Sequence, residues 1–123
     1  MAKAEKREKA RGLPAQVAAA LHAAEDKKAN DLEVLDLRTT AGFTDFFVIA
    51  SGSNARQVRA IADAVMEALA AAGAKPAHVE GYDRSEWILI DYFDCVVHVF
   101  TRETRAFYGL ERLWGNAERV EIS

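Results

Sequence analysis

The sequence predicts an α/β fold, a mixed β-sheet packed with helices, and three observations carry that prediction. Asp45-Phe46-Phe47-Val48-Ile49-Ala50-Ser51 is apolar on both faces, as a central strand covered on two sides must be. Val58, Ile61, Ala62, Val65, Leu69 and Ala72 then recur at helical spacing. Two further runs, Glu86–Asp91 and Asp94–Phe100, are separated only by Tyr92-Phe93 and predict an antiparallel hairpin. Strand, long helix and strand in that order imply a parallel pair with a right-handed crossover.

Each element has its local reason. Residues 1–12 alternate Lys, Arg, Glu and Ala without an apolar stripe and predict a flexible N-terminal arm. From Pro14 a helix is expected, with Leu13, Val17 and Leu21 on one face and Lys27 and Lys28 at its negative end. Residues 33–38 read as a strand, and the loop from Thr39 to Phe43, with Gly42 inside, leads into the central strand. Asn54 with Gln57 three residues later forms a capping box for the long helix, and Gly73 supplies its left-handed stop. His78–Tyr82 reads as a short strand. Thr101 caps a short helix that stops at Gly109, after which Leu110 and Leu113-Trp114 fold back on the sheet. The domain is therefore expected over residues 13–115, with 116–123 a tail or an edge strand.

Composition narrows the function. With 123 residues, 50% hydrophobic and 28% charged, the chain is sized for one domain whose core needs no metal or disulfide staple. Cys95 is the only cysteine, which excludes an internal disulfide and a cysteine-rich zinc site and suits a reducing, cytoplasmic compartment. The stretch from Lys3 to Ala24 imitates a signal peptide, but Glu5 and Glu8 lie in its charged part and Pro14, Gln16 and His22 interrupt its apolar part. No apolar run is long enough to span a bilayer. Residues 1–30 carry a net charge of +3 and residues 31–123 a net −6. So acidic a folded part argues against specific nucleic-acid binding and for a protein partner with a basic face.

Candidate chemistry is sparse. Ser51-Gly52-Ser53 joins a strand to a helix N-terminus, where backbone N–H groups suit an anion, yet the phosphate-loop Lys-Ser/Thr pair is missing. A Gly-Ser after a strand also occurs in nucleotidyltransferases, which need metal-binding carboxylates close by; Asn54, Ala55 and Arg56 stand there instead. His22, His78 and His98 are scattered, and Cys95 has no nucleophile motif around it. No cofactor or metal is expected.

The hairpin says more. Alternation sends Ile88 and Ile90 to one face and Trp87, Leu89 and Asp91 to the other, with Asp94, Val96, His98 and Phe100 sharing a face on the returning strand. Glu80, Asp83, Glu86, Asp91 and Asp94 face only Arg84 as a counter-charge in this region. An aromatic anchor beside an acidic surface suits a protein-binding hot spot, against which stands the plain alternative of a core tryptophan with a solvated acidic rim.

Several motifs closely resemble the ribosomal silencing factor (Iojap-like) family, in order and spacing. They are Thr44–Ser53, Arg56–Asp63, Glu86–Tyr92, Val96–Phe100 and Leu110–Trp114. The resemblance implies a nucleotidyltransferase-like fold without catalytic residues, and hence no enzyme. It further implies a translational repressor that binds the large ribosomal subunit through the ribosomal protein numbered fourteen. Binding there would sterically block joining of the small subunit under nutrient limitation. Carried over residue by residue, the partner-binding surface falls on Trp87, Asp91, Tyr92, Asp94 and His98, with Tyr108, Leu110, Glu111 and Trp114 as further matches. The family usually has glycine where Phe93 stands and tyrosine where Phe46 stands. Two rivals are a nucleotidyltransferase-like enzyme or hydrolase using Asp91, Asp94 and the Gly52-Ser53 turn, and a large-subunit assembly factor using the same surface. A homodimer of the free protein, built on the same aromatic residues, is also open.

Overall fold

A computed structural model describes residues 13–40, 42–120 and 122. The expected arm, 1–12, lies outside them. The elements are α1 (Ala15–Asp26), β1 (Asn30–Asp36), β2 (Phe46–Gly52), α2 (Ala55–Ala71), β3 (His78–Glu80), β4 (Trp87–Asp91), β5 (Cys95–Thr101), α3 (Arg102–Tyr108), α4 (Leu110–Leu113) and β6 (Glu118–Val120). The six strands form one sheet in the order β3-β4-β5-β2-β1-β6. Among the described residues only β2 and β5 pair in parallel, from Phe46 opposite Cys95 to Gly52 opposite Thr101. The other neighbours are antiparallel, so the α/β class with a mixed sheet is what the chain adopts.

The strand after the long helix is not the neighbour of β2, as strand-helix-strand order suggests. All seven residues of β2 are buried and all three of β3 are exposed. A place beside β2 must be apolar on both faces, and β5, with six of seven residues buried, fills it while β3 goes to the sheet edge. The first strand begins at Asn30, three residues before the expected start. Asp31 takes a positive φ of 50° where the β1–β2 register shifts between Asn30 and Glu33, a bulge that sequence alternation does not reveal.

The two sheet faces are covered unequally, and the site follows from that. On one face α1 and α2 bury Val17, Leu21, Val58, Ile61, Val65 and Leu69 against Val34, Val48, Ile88, Ile90, Cys95, Val97 and Val99. Each such aliphatic side chain contributes about 1.5–3 kcal/mol on burial. Ala20, Ala23 and Ala24 leave room for α1 beside α2. On the other face Leu35, Leu37, Phe47, Ile49, Val96 and Phe100 are covered only by short elements that bring Leu110 and Ala117, with Trp87, Leu89 and Trp114 half-buried around them.

Candidate functional site

The Ser51–Ser53 junction is structural in its details. A Cβ on Gly52 would sit 2.9 Å from the Val58 backbone nitrogen, so glycine here lets α2 start close against β2. Asn54 Oδ1 accepts from Gln57 N at 2.9 Å, while Gln57 Oε1 accepts from Ser53 N at 2.6 Å, one residue before the capping-box position. Ser51 Oγ accepts from Arg105 Nη1 at 2.7 Å. The Ser53 and Gln57 N–H groups and the Ser51 hydroxyl are thus committed inside the chain. Among the described residues no group of three or more His, Cys, Asp or Glu is placed to hold a metal ion.

The sparsely covered face gathers aromatic rings. Trp87 lies 4.9 Å from the Phe100 ring in a stacked arrangement and 4.7 Å from Tyr108. Its indole Nε1 donates to His98 Nδ1 at 3.1 Å. Phe47 meets His98 edge-on at 4.5 Å and Trp114 edge-on at 5.9 Å, and Phe43 tilts against both Phe47 and Trp114. Around this floor Phe107, 78% exposed, points outward together with Tyr108 and Phe43, and Leu113 of α4 is also exposed. Aromatic groups on a rigid sheet lose little conformational freedom on docking and bury large area, the composition of protein-binding hot spots.

His98 is only 3% exposed and sits beneath these rings, so it supports the surface and does not present itself there. Burial pushes its pKa from 6.5 down to about 3, and the neutral ring accepts the Trp87 N–H at Nδ1. The proton is thereby placed on Nε2, which has no hydrogen-bond partner among the described residues.

The acidic residues lie along the hairpin and the loop before it. Asp91 is half-buried and accepts from Phe93 N at 2.8 Å. The Asp94 carbonyl accepts from Asp45 N at 3.1 Å and Phe46 N at 3.2 Å, and Thr44 Oγ1 donates to Phe93 O at 2.8 Å. These bonds hold Phe93 at a φ of 69°, the left-handed conformation that favours glycine. The phenylalanine keeps the turn with its ring turned to solvent.

The nine residues read as partner-binding separate into two groups. Trp87, Asp91, Tyr108 and Trp114 come together on or beside the aromatic face, and the Asp94 side chain is exposed at its hairpin end. Tyr92 does not join them: it continues the alternation of Ile88 and Ile90 and lies, 5% exposed, in the core under α1 and α2. Leu110 is buried beneath the face, and Glu111 accepts from Arg105 Nε at 3.1 Å. That ion pair belongs to a network unseen in the sequence. Arg105, 10% exposed at its side chain, also donates to the Asp31 carbonyl at 2.7 Å and approaches Glu33 at 3.8 Å, tying α3 and α4 to β1 and β2. Phe43 and Phe107 are surface residues sequence reasoning missed, with bulky apolar side chains in a loop and a short polar helix as the available signal. Leu113, expected to fold back on the sheet with Leu110 and Trp114, is instead exposed, because the four-residue α4 turns only Leu110 inward.

The comparison with known proteins joins this geometry to a family. The family model described as "Ribosomal silencing factor during starvation" matches residues 10–123. The chain belongs to that family. It is 41% identical over 103 residues to the ribosomal silencing factor of Halalkalibacterium halodurans, covering 84% of this chain and 88% of that one. With the Bacillus subtilis silencing factor it shares 37% identity, covering 81% and 85% of the two chains. The chloroplastic protein Iojap of Zea mays is 36% identical over 81% of this chain and 43% of its own. A crystal structure of a Chromobacterium violaceum protein superposes with a TM-score of 0.76 at 38% identity, over 78% of this chain and 80% of that one. One from Bacillus halodurans gives 0.75 at 39% identity, over 84% and 93%. The family and the Halalkalibacterium halodurans and Bacillus subtilis relatives are named for ribosomal silencing.

Proposed function

We propose that this protein is a non-catalytic translational repressor. It docks its aromatic face on the large ribosomal subunit, through the ribosomal protein numbered fourteen, and sterically blocks joining of the small subunit. The observation that carries it is the sparsely covered sheet face, where Trp87 is held by His98 and Phe100 and neighboured by exposed Tyr108 and Phe107. The acidic loop and hairpin beside it supply the charge that orients docking on a basic protein, and aromatic burial supplies most of the affinity. The site of action is the cytoplasm. No described helix is long and apolar enough to cross a membrane.

The enzyme alternative has little to work with: the Asp91 carboxylate is engaged by the hairpin turn and Gly52 by helix packing. A large-subunit assembly role has one specific point in its favour. A Mus musculus relative, 31% identical over 72% of this chain and 40% of its own, is named for mitochondrial assembly of the ribosomal large subunit. That role uses the same surface at a different time.

Co-sedimentation with separated subunits tests the proposal. The wild-type protein pellets with the large subunit alone, and Trp87→Ala weakens that binding by about 2 kcal/mol, roughly thirtyfold. Equal affinity of a Trp87→Ala protein with an unchanged circular dichroism spectrum contradicts the docking role of this face.

A further inference from the structure

Beside Trp87 lies a cavity of about 540 Å³ that the docking face alone does not account for. Its lining combines the apolar Trp87, Phe107 and Tyr108 with the charged Glu86, Glu103 and Arg84. Gly81 also lines it, and any Cβ there would strike the Trp87 carbonyl, so the loop reaches this position only as glycine. The loop is fixed from behind. Arg59 donates to Ser85 Oγ and to the Asp83 carbonyl, each at 3.0 Å, and the Tyr82 hydroxyl donates to Asp63 at 2.8 Å. The cavity is thus framed by a braced loop on one side and by α3 on the other.

We propose that this cavity receives a lysine or arginine side chain of the docked ribosomal protein, an inference that rests on the docking function above. The chemistry of the walls selects it. A long basic side chain lays its aliphatic stem along aromatic rings and brings its charged head to carboxylates, gaining cation–π attraction as it does so. Glu103 makes no hydrogen bond or ion pair with the described residues. Glu86 has only a long contact, 3.9 Å, with the guanidinium of Arg84, whose side chain is 88% exposed. Arg84 shows that a guanidinium can stand beside Glu86, and its exposure lets it swing out when a partner's cation enters. An acidic or wholly apolar side chain would leave both carboxylates unmatched as docking removed water from them.

The test compares four proteins for binding to purified large subunits at low and high salt: wild type, Trp87→Ala, Glu86→Gln with Glu103→Gln, and Arg84→Ala. The double glutamine variant keeps shape and removes charge. It is expected to bind about tenfold more weakly at low salt and to lose part of the salt dependence. Arg84→Ala binds at least as tightly as wild type, because it removes the internal competitor. If the glutamine variant binds like wild type while Trp87→Ala does not, the cavity proposal falls and the docking face stands. If the wild-type protein binds no large subunit, both fall. Weakened binding by Arg84→Ala also overturns the proposal, since it would make the cation contributed by this chain.

Discussion

Arg105→Ala is expected to destabilise the protein by about 3 kcal/mol, although Arg105 is not itself one of the rings of the aromatic surface. Arg105 makes short bonds to the Asp31 carbonyl and Ser51 Oγ, both 2.7 Å, and a 3.1 Å ion pair with Glu111. Removing one partner of a buried ion pair costs about 3–5 kcal/mol, because the other charge is left unpaired in a poor solvent. The cost here belongs at the low end, for two reasons. The Glu111 and Glu33 side chains are partly open to water, and Glu33 keeps Arg119 at 3.1 Å. For a urea slope of about 1.5–2 kcal/mol per molar, the unfolding midpoint should fall by roughly 1.5–2 M. Glu111→Ala alone should cost less, and the double variant less than the sum of the two, with a coupling of at least about 1 kcal/mol. A midpoint shift below about 0.5 M for Arg105→Ala, or additive single and double variants, would refute the assignment of Arg105 as the tie between α3 and the sheet.

Two further outcomes follow from single residues. His98 titrates about 3 in the folded chain against 6.5 when free, so the unfolded chain takes the proton first as pH falls. Its contribution to stability is therefore complete above pH 6.5 and is lost between there and about 3, by at most about 1.4 kcal/mol per pH unit. His98→Gln, whose amide oxygen still accepts from Trp87, should show a flatter fall in urea midpoint from pH 7 to pH 4; parallel curves would contradict the burial argument. Phe93→Gly should raise stability by about 0.5–1 kcal/mol, since φ at 69° is strained for phenylalanine and free for glycine. A lower melting temperature for that variant would mean that the exposed Phe93 ring makes a stabilising contact that outweighs the strain.

How legible the molecule was in its sequence depended on how local the determining physics is. The central strand, the long helix and the hairpin faces were readable because burial writes itself into alternation and helical spacing: β2 is buried throughout, and Ile88 and Ile90 alternate with Trp87 and Leu89. The neighbour of β2 was not, since adjacency is decided by competition among strands for an interior place, which β5 wins over the polar β3. In the site, alternation correctly put His98 with Trp87 on one face. It could not say that rings from Phe47 and Phe100 would bury His98, or that Trp87 would spend its N–H on it. Tyr92 was legible by the same rule, since it continues Ile88 and Ile90 one step past β4; the carry-over from the family resemblance, and not alternation, set it at the surface. The Arg105–Glu111 pair spans the left-handed Gly109, where helical spacing stops predicting neighbours.

The central claim is occlusion, and the most direct measurement is subunit joining itself. Purified large subunits are incubated with the protein, small subunits and magnesium are added, and joined ribosomes are separated from free subunits on a sucrose gradient. The expected result is a dose-dependent loss of joined ribosomes, with the protein sedimenting on the free large subunit and Trp87→Ala far less effective. Undiminished joining with the protein bound to the large subunit would contradict occlusion and leave assembly as the function of the same surface.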